Sequence, residues 1–171
     1  MRRLLLLILL LLGGNARVQA EPLPEHDVKA TYLYNFAVLT RWPESARARF
    51  NICTLGAEEV GLALRKLEGK LIHERPLTVA RLSTLAAIRE CQVLFVGQQD
   101  AASLPRIVAT LGDEPVMTVT DAPQLASVCV VVAPEGKRLA FDVNLEKCRA
   151  AHLRPGAPML NLARTVLKPE P

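Results

Sequence analysis

Cys91-Gln92-Val93-Leu94-Phe95-Val96-Gly97 is the stretch that decides the fold. Four apolar residues in a row leave no face for water, and Gly97 ends the run, so the stretch reads as a central strand covered on both sides. Phe50-Asn51-Ile52-Cys53-Thr54-Leu55-Gly56 has the same grammar upstream. Residues 76–82 and 116–119 supply two further strands. Between the strands the apolar period changes to that of a helix. Val60, Ala63, Leu64 and Leu67 mark one helix, with Gly69 placed to cap it. A short helix is expected over 85–90, and Leu104, Ile107, Val108 and Leu111 mark another, closed by Gly112.

Before this core, Asp27 can cap a helix whose apolar positions are Val28, Tyr32, Leu33, Phe36 and Ala37. Pro43 ends it, with Arg41 and Trp42 in its last turn. After the core, 128–132 and 138–143 read as two strands around the turn Pro134-Glu135-Gly136-Lys137. Leu139, Phe141 and Val143 share one face of the second strand; Arg138, Ala140, Asp142 and Asn144 share the other. Helices are expected over 145–152 and 159–167. Strand–helix alternation with near-continuous apolar strands predicts an α/β three-layer sandwich. Its mostly parallel central sheet carries helices on both faces and a late antiparallel hairpin at the edge.

The amino-terminal segment has a different character. Arg2 and Arg3 precede an unbroken apolar run from Leu4 to Leu12, and Val18-Gln19-Ala20 offers small residues before Glu21. These are the three regions of a secretory signal, so residues 1–20 are expected to be removed after Ala20 on export to the periplasm. Residues 21–171 then form one domain. Nine apolar residues are too few to span a bilayer, which needs about 20. The leader holds Arg2, Arg3 and Arg17 and no acid. The 21 basic residues less these three stand against 17 acidic ones, so the mature chain is close to neutral. That balance excludes the clustered basic footprint of a nucleic-acid binder.

No glycine-rich nucleotide loop, phosphate loop or nucleophile elbow occurs. His26, His73 and His152 stand apart from one another and from other metal ligands, and read as surface or helix-end residues. Neither catalysis, cofactor nor metal is expected. The four cysteines, Cys53, Cys91, Cys129 and Cys148, can pair in three ways in an oxidising compartment. A layered fold places the strands of Cys53 and Cys91 close together. Cys129 and Cys148 could also bridge, or remain as buried thiols that behave as small hydrophobes.

Two polar groups break the apolar background. One is Arg41-Trp42-Pro43; the other is Asp142 with Asn144, and Arg154 beyond the next helix. A guanidinium, a flat aromatic and a carboxylate at one end of a sheet suit a zwitterionic or anionic ligand, or a partner's charged loop. The competing reading is an ordinary Arg41–Asp142 ion pair, with Trp42 as a core plug.

Several segments together resemble the YfiR-like periplasmic family. They are Ala30-Thr-Tyr-Leu-Tyr-Asn-Phe36 leading to Arg41-Trp42-Pro43, then 50–56 and 91–97 as quoted above. Pro115-Val-Met-Thr-Val-Thr-Asp121, Phe141-Asp-Val-Asn-Leu145 and Leu160-Asn-Leu-Ala-Arg164 follow in the same order. The resemblance implies a non-catalytic, commonly dimeric regulator. Such a protein binds the periplasmic sensor domain of a membrane-bound diguanylate cyclase, or of a histidine kinase. It lowers cyclic-di-GMP output and with it biofilm behaviour. It also implies a Cys53–Cys91 disulfide, and places Arg41, Asp142 and Arg154 at or near a ligand or partner surface. In relatives with a second disulfide, two cysteines lie close together near the hairpin. Here only Cys129 matches that pattern, because Cys148 sits in the following helix. Two alternatives stand beside this reading: a stand-alone periplasmic small-ligand-binding protein, and an envelope thiol oxidoreductase or hydrolase.

Overall fold

The computed structural model describes residues 23–168, so the leader and its cleavage after Ala20 lie outside the described residues. The first helix, α1 (Glu25–Leu39), starts after Pro24 and buries Ala30, Leu33, Phe36 and Ala37. These positions recur every three or four residues, the spacing that puts side chains on one face of a helix. Then follow β1 (Thr40–Arg41), β2 (Phe50–Leu55), α2 (Glu58–Arg65), β3 (Leu71–Ile72) and β4 (Arg75–Leu82). A 3₁₀ turn at Ile88–Glu90 leads into β5 (Val93–Val96), and a second, Gln98–Ser103, leads into α3 (Leu104–Leu111). The chain ends through β6 (Met117–Thr120), β7 (Val130–Glu135), β8 (Arg138–Asn144), α4 (Leu145–Ala150), β9 (Arg154–Pro155), α5 (Ala157–Leu162) and β10 (Thr165–Leu167).

Eight strands form one sheet in the order β10-β8-β7-β6-β5-β2-β4-β3. β4, β2, β5, β6 and β7 are mutually parallel, β7 and β8 form the antiparallel hairpin, and β10 adds a parallel strand outside β8. The run 91–97 is central, as its composition demands: Val93, Leu94, Phe95 and Val96 are all fully buried. Alternation divides them between two cores. Val93 and Phe95 join Phe50, Ile52 and Phe141 beneath α1 and α2, while Leu94 and Val96 join Leu104, Ile107 and Leu111 of α3 on the opposite face. Tyr32 and Phe36 meet Phe141 with ring centroids 5.5 and 4.8 Å apart, which seats α1 on the hairpin. Each fully buried Phe or Leu contributes on the order of 2 kcal/mol.

Four local expectations are corrected. The first helix stops at Leu39, so Arg41 lies in β1 and not in a last helical turn. Residues 159–167 divide between α5 and β10, because Ala163 turns extended and Thr165–Leu167 finds the open edge of β8. The helix over 85–90 shrinks to a 3₁₀ turn. Ahead of β4 stands an unanticipated hairpin partner, β3, joined through His73 and Glu74 at φ 47° and 66°.

Candidate functional site

β1 and β9 are too short to contribute core, yet their pairing brings two distant parts of the chain together. Their antiparallel register sets Thr40 opposite Pro155 and Arg41 opposite Arg154. The ladder is held where Gly156 N–H donates to Leu39 O at 2.8 Å. A side chain at position 156 could not fit, since a Cβ there would stand 2.7 Å from that same carbonyl. Arg41 and Arg154 are exposed and neither has an ion-pair partner among the described residues. Like charges directly opposite on a ladder repel. An anion placed between them would relieve that repulsion.

Trp42 is half-buried beside them. Its indole Nε1–H donates to Ala37 O at 2.9 Å and its ring meets Phe50 edge-to-face at 5.1 Å. Trp42 thus serves as the plug that closes the end of α1, and keeps an exposed edge. Arg75, the first residue of β4, lies over the Phe50 ring at 5.0 Å. One of its guanidinium nitrogens, Nη1, is buried without a hydrogen-bond partner. Burial, and then the neighbouring Arg47 charge, lower the Arg75 pKa from its usual value. His73 closes the helix end from the other side, its Nε2 lying 3.1 Å from Ala37 O and 3.0 Å from Thr40 O. A cleft of about 900 Å³ is lined by Arg41, Arg47 and Arg75 with Trp42 and His73, and by the carboxylates Glu44 and Glu74, so the arginines outnumber the acids by one. Cations around an aromatic edge suit a carboxylate or another planar anion.

Asp142 and Asn144 do not join this cleft. The ladder runs Asp142–Val131–Thr120–Val96, which sets Asp142 at the carboxyl ends of the central strands; the cleft adjoins the start of β4. Asp142 is paired with Arg164, not Arg41: Arg164 Nε donates to Oδ1 at 2.9 Å and Nη2 to Oδ2. This fork holds the Asp142 carboxyl below the usual carboxylate range. Asn144 caps α4, its Oδ1 accepting from Lys147 N–H at 3.2 Å while its Nδ2 donates to Leu125 O. Arg47 and Arg75 were not singled out from the sequence. Arg47 lies in an irregular loop, and Arg75 is hidden by the undetected β3 turn.

Cys53 and Cys91 form a disulfide with Cα atoms 5.8 Å apart, tying β2 to the segment that enters β5. Cys129 and Cys148 are buried free thiols, with Cys148 Sγ 3.9 Å from Cys129 O. Contact with Cys129, reinforced by burial, pushes the Cys148 pKa up. No group of three or more metal-binding side chains occurs among the described residues, and no described helix is long and apolar enough to cross a membrane.

Comparison with solved structures gives the fold. The chain is similar to an ABC domain from Streptococcus pneumonia solved in complex with L-Trp, with a TM-score of 0.53 at 10% identity. The match covers 81% of this chain but 60% of that one, so this chain spans less than two thirds of that structure's length. No curated protein matches. The family model described as YfiR/HmsC-like matches residues 26–164, from the first turn of α1 to the arginine that pairs with Asp142. The five mutually parallel strands, the β7–β8 hairpin and both halves of the β1–β9 ladder fall inside that match, and the chain belongs to the YfiR/HmsC-like family.

Proposed function

We propose that this protein is an exported, non-catalytic regulator that binds the periplasmic sensor domain of a membrane signalling protein and holds it inactive. The favoured partner is a diguanylate cyclase, so that release raises cyclic-di-GMP and promotes biofilm behaviour; a histidine kinase is the other candidate. The YfiR-like family is known for periplasmic regulators of diguanylate cyclases, which supports the reading. On this reading residues 1–20 are removed after Ala20, and residues 21–171 act as one domain, as a homodimer. The observation that carries the contact surface is the Arg41–Arg154 cross-strand pair. It stands beside Trp42 and Arg75, which line the same cleft as Arg41. Such a surface recognises an acidic segment of the partner.

Inhibition of this kind is a population shift: the regulator prefers one conformation of the sensor. Moving an evenly balanced sensor to 99% inactive takes a differential affinity of roughly 2.7 kcal/mol, within reach of a modest interface. A pull-down from membranes with residues 21–171, in wild-type and Arg41→Glu/Arg154→Glu forms, tests the proposal. Recovery of a cyclase or kinase by the wild type alone supports it. Recovery of neither, or equal recovery by both forms, sinks it. A second reading rests on the cleft: a small carboxylate would sit among Arg41, Arg47 and Arg75. In that case the wild type captures no membrane protein and a carboxylate ligand raises its melting temperature.

A further inference from the structure

His73 stands where the Arg41 cleft meets the end of α1. The turn between β3 and β4 carries it, exposed, at φ 47°. From there its Nε2 reaches Ala37 O at 3.1 Å and Thr40 O at 3.0 Å. Both partners are carbonyl oxygens, which only accept, so Nε2 carries a proton and donates to both. In the neutral ring the lone pair is then on Nδ1. A second proton there adds a full positive charge without breaking either contact. The carbonyls of a helix's last turn form its negative end, and a cation beside them is favoured.

The charged groups that line the cleft with this imidazole come from three elements. They are Arg41 of β1, Glu44 and Arg47 of the loop that follows it, and Glu74 and Arg75 next to His73 itself. Three arginines against two carboxylates leave an excess of one positive charge, and a protonated His73 makes it two. An anion seated in the cleft favours the proton on Nδ1. By linkage the proton strengthens the hold on the anion by the same factor. Histidine is the side chain whose charge changes between about pH 5 and 8, so the coupling acts near neutrality. The other two histidines lie elsewhere, His26 beside Asp27 and Glu59 and His152 beside Asp113.

We infer that His73 is a proton-operated part of the partner surface, tightening its grip on acidic groups as pH falls; this rests on the reading of the cleft as the surface for an acidic segment. Trp42, the only tryptophan of the chain, lines the same cleft and reports its occupancy by fluorescence. Titration of residues 21–171 with an acetylated, amidated tetra-aspartate peptide at pH 7.5 and pH 5.5 tests it, the peptide carboxylates being largely ionised at both. Binding about fivefold tighter at pH 5.5 is expected. His73→Gln keeps a donor for the two carbonyls but cannot take the charge, so its affinity should be the same at both pH values. His26→Gln/His152→Gln should keep the wild-type response. In the wild type, bound peptide should raise the NMR titration midpoint of the His73 ring by about 0.7 pH unit, the same fivefold seen from the side of the proton. Equal wild-type affinity at the two pH values, a His73→Gln protein that keeps the gain, or an unmoved midpoint overturns the inference and leaves the acidic-segment reading standing. No binding at either pH overturns both.

Discussion

Asp142 and Arg164 form a two-pronged ion pair that pins the extended end of the chain to β8: Arg164 Nε and Nη2 reach the two carboxylate oxygens, and the next residues enter β10. Asp142 is 9% exposed, so the pair is largely withdrawn from water at the carboxylate end.

Asp142→Asn is therefore expected to lower stability by about 1 kcal/mol at neutral pH. The pH dependence has a definite sign. The folded state holds the Asp142 pKa below its unfolded value. The contribution is thus present above about pH 4 and is lost as pH falls through the depressed folded pKa. Urea midpoints of wild type and variant should differ at pH 7 and draw together towards pH 3. A gap that persists unchanged at pH 3 would show that Asp142 acts by packing.

Reduction of the Cys53–Cys91 disulfide removes a crosslink spanning 38 residues of sequence. The chain-entropy model assigns such a loop about 4 kcal/mol. Cys53→Ala/Cys91→Ala, or the wild type in reductant, should unfold at clearly lower urea concentration. An unchanged midpoint would mean that the bridge is absent from the purified protein.

Cys129 and Cys148 are respectively 1% and 0% exposed. A thiol reagent should find no reactive cysteine in the native protein and two in urea without reductant. Zero in urea would reveal a second bridge joining Cys129, just before β7, to Cys148 in α4.

The turn between β3 and β4 places Glu74 at φ 66°, a left-handed conformation that disfavours a side chain. Glu74→Gly should be neutral or stabilising by up to about 1 kcal/mol, whereas His73→Ala should cost about 1 kcal/mol through loss of the contact with Ala37 O and Thr40 O. Thermal melts of the two variants should move in opposite directions, or the first not at all. A large loss in Glu74→Gly would contradict the turn geometry.

That turn also shows where sequence reasoning reaches its limit. Turns of this hand are signalled by Asn-Gly or Asp-Gly, and His-Glu carries no such mark, so β3 and the placement of Arg75 stayed hidden. β10 was hidden for another reason. Leu162 through Leu167 has an ambiguous apolar pattern, and only the open edge of β8 with Asp142 waiting for Arg164 selects a strand. By contrast, 50–55 and 91–96 were legible because strands buried on both faces are apolar at most positions, here at all but Asn51, Thr54 and Gln92. Of the candidate surface, Arg41, Trp42 and Arg154 were visible as exceptions to an apolar background. Asp142 was equally visible, but its partner was not: a charge announces itself in a sequence, and the residue that neutralises it does not.

The bridge between Cys53 and Cys91 also determines how the molecule would carry tension. The intervening segment, with α2, β3 and β4, lies off the covalent path between the chain's ends. Pulling on those ends loads β2 and β5 directly and bypasses everything between them. At about 3.5 Å per residue, roughly 130 Å of slack stays locked behind the bridge. It is released only when the two sulfurs part, so in a stretching experiment the oxidised protein is the shorter one by that length.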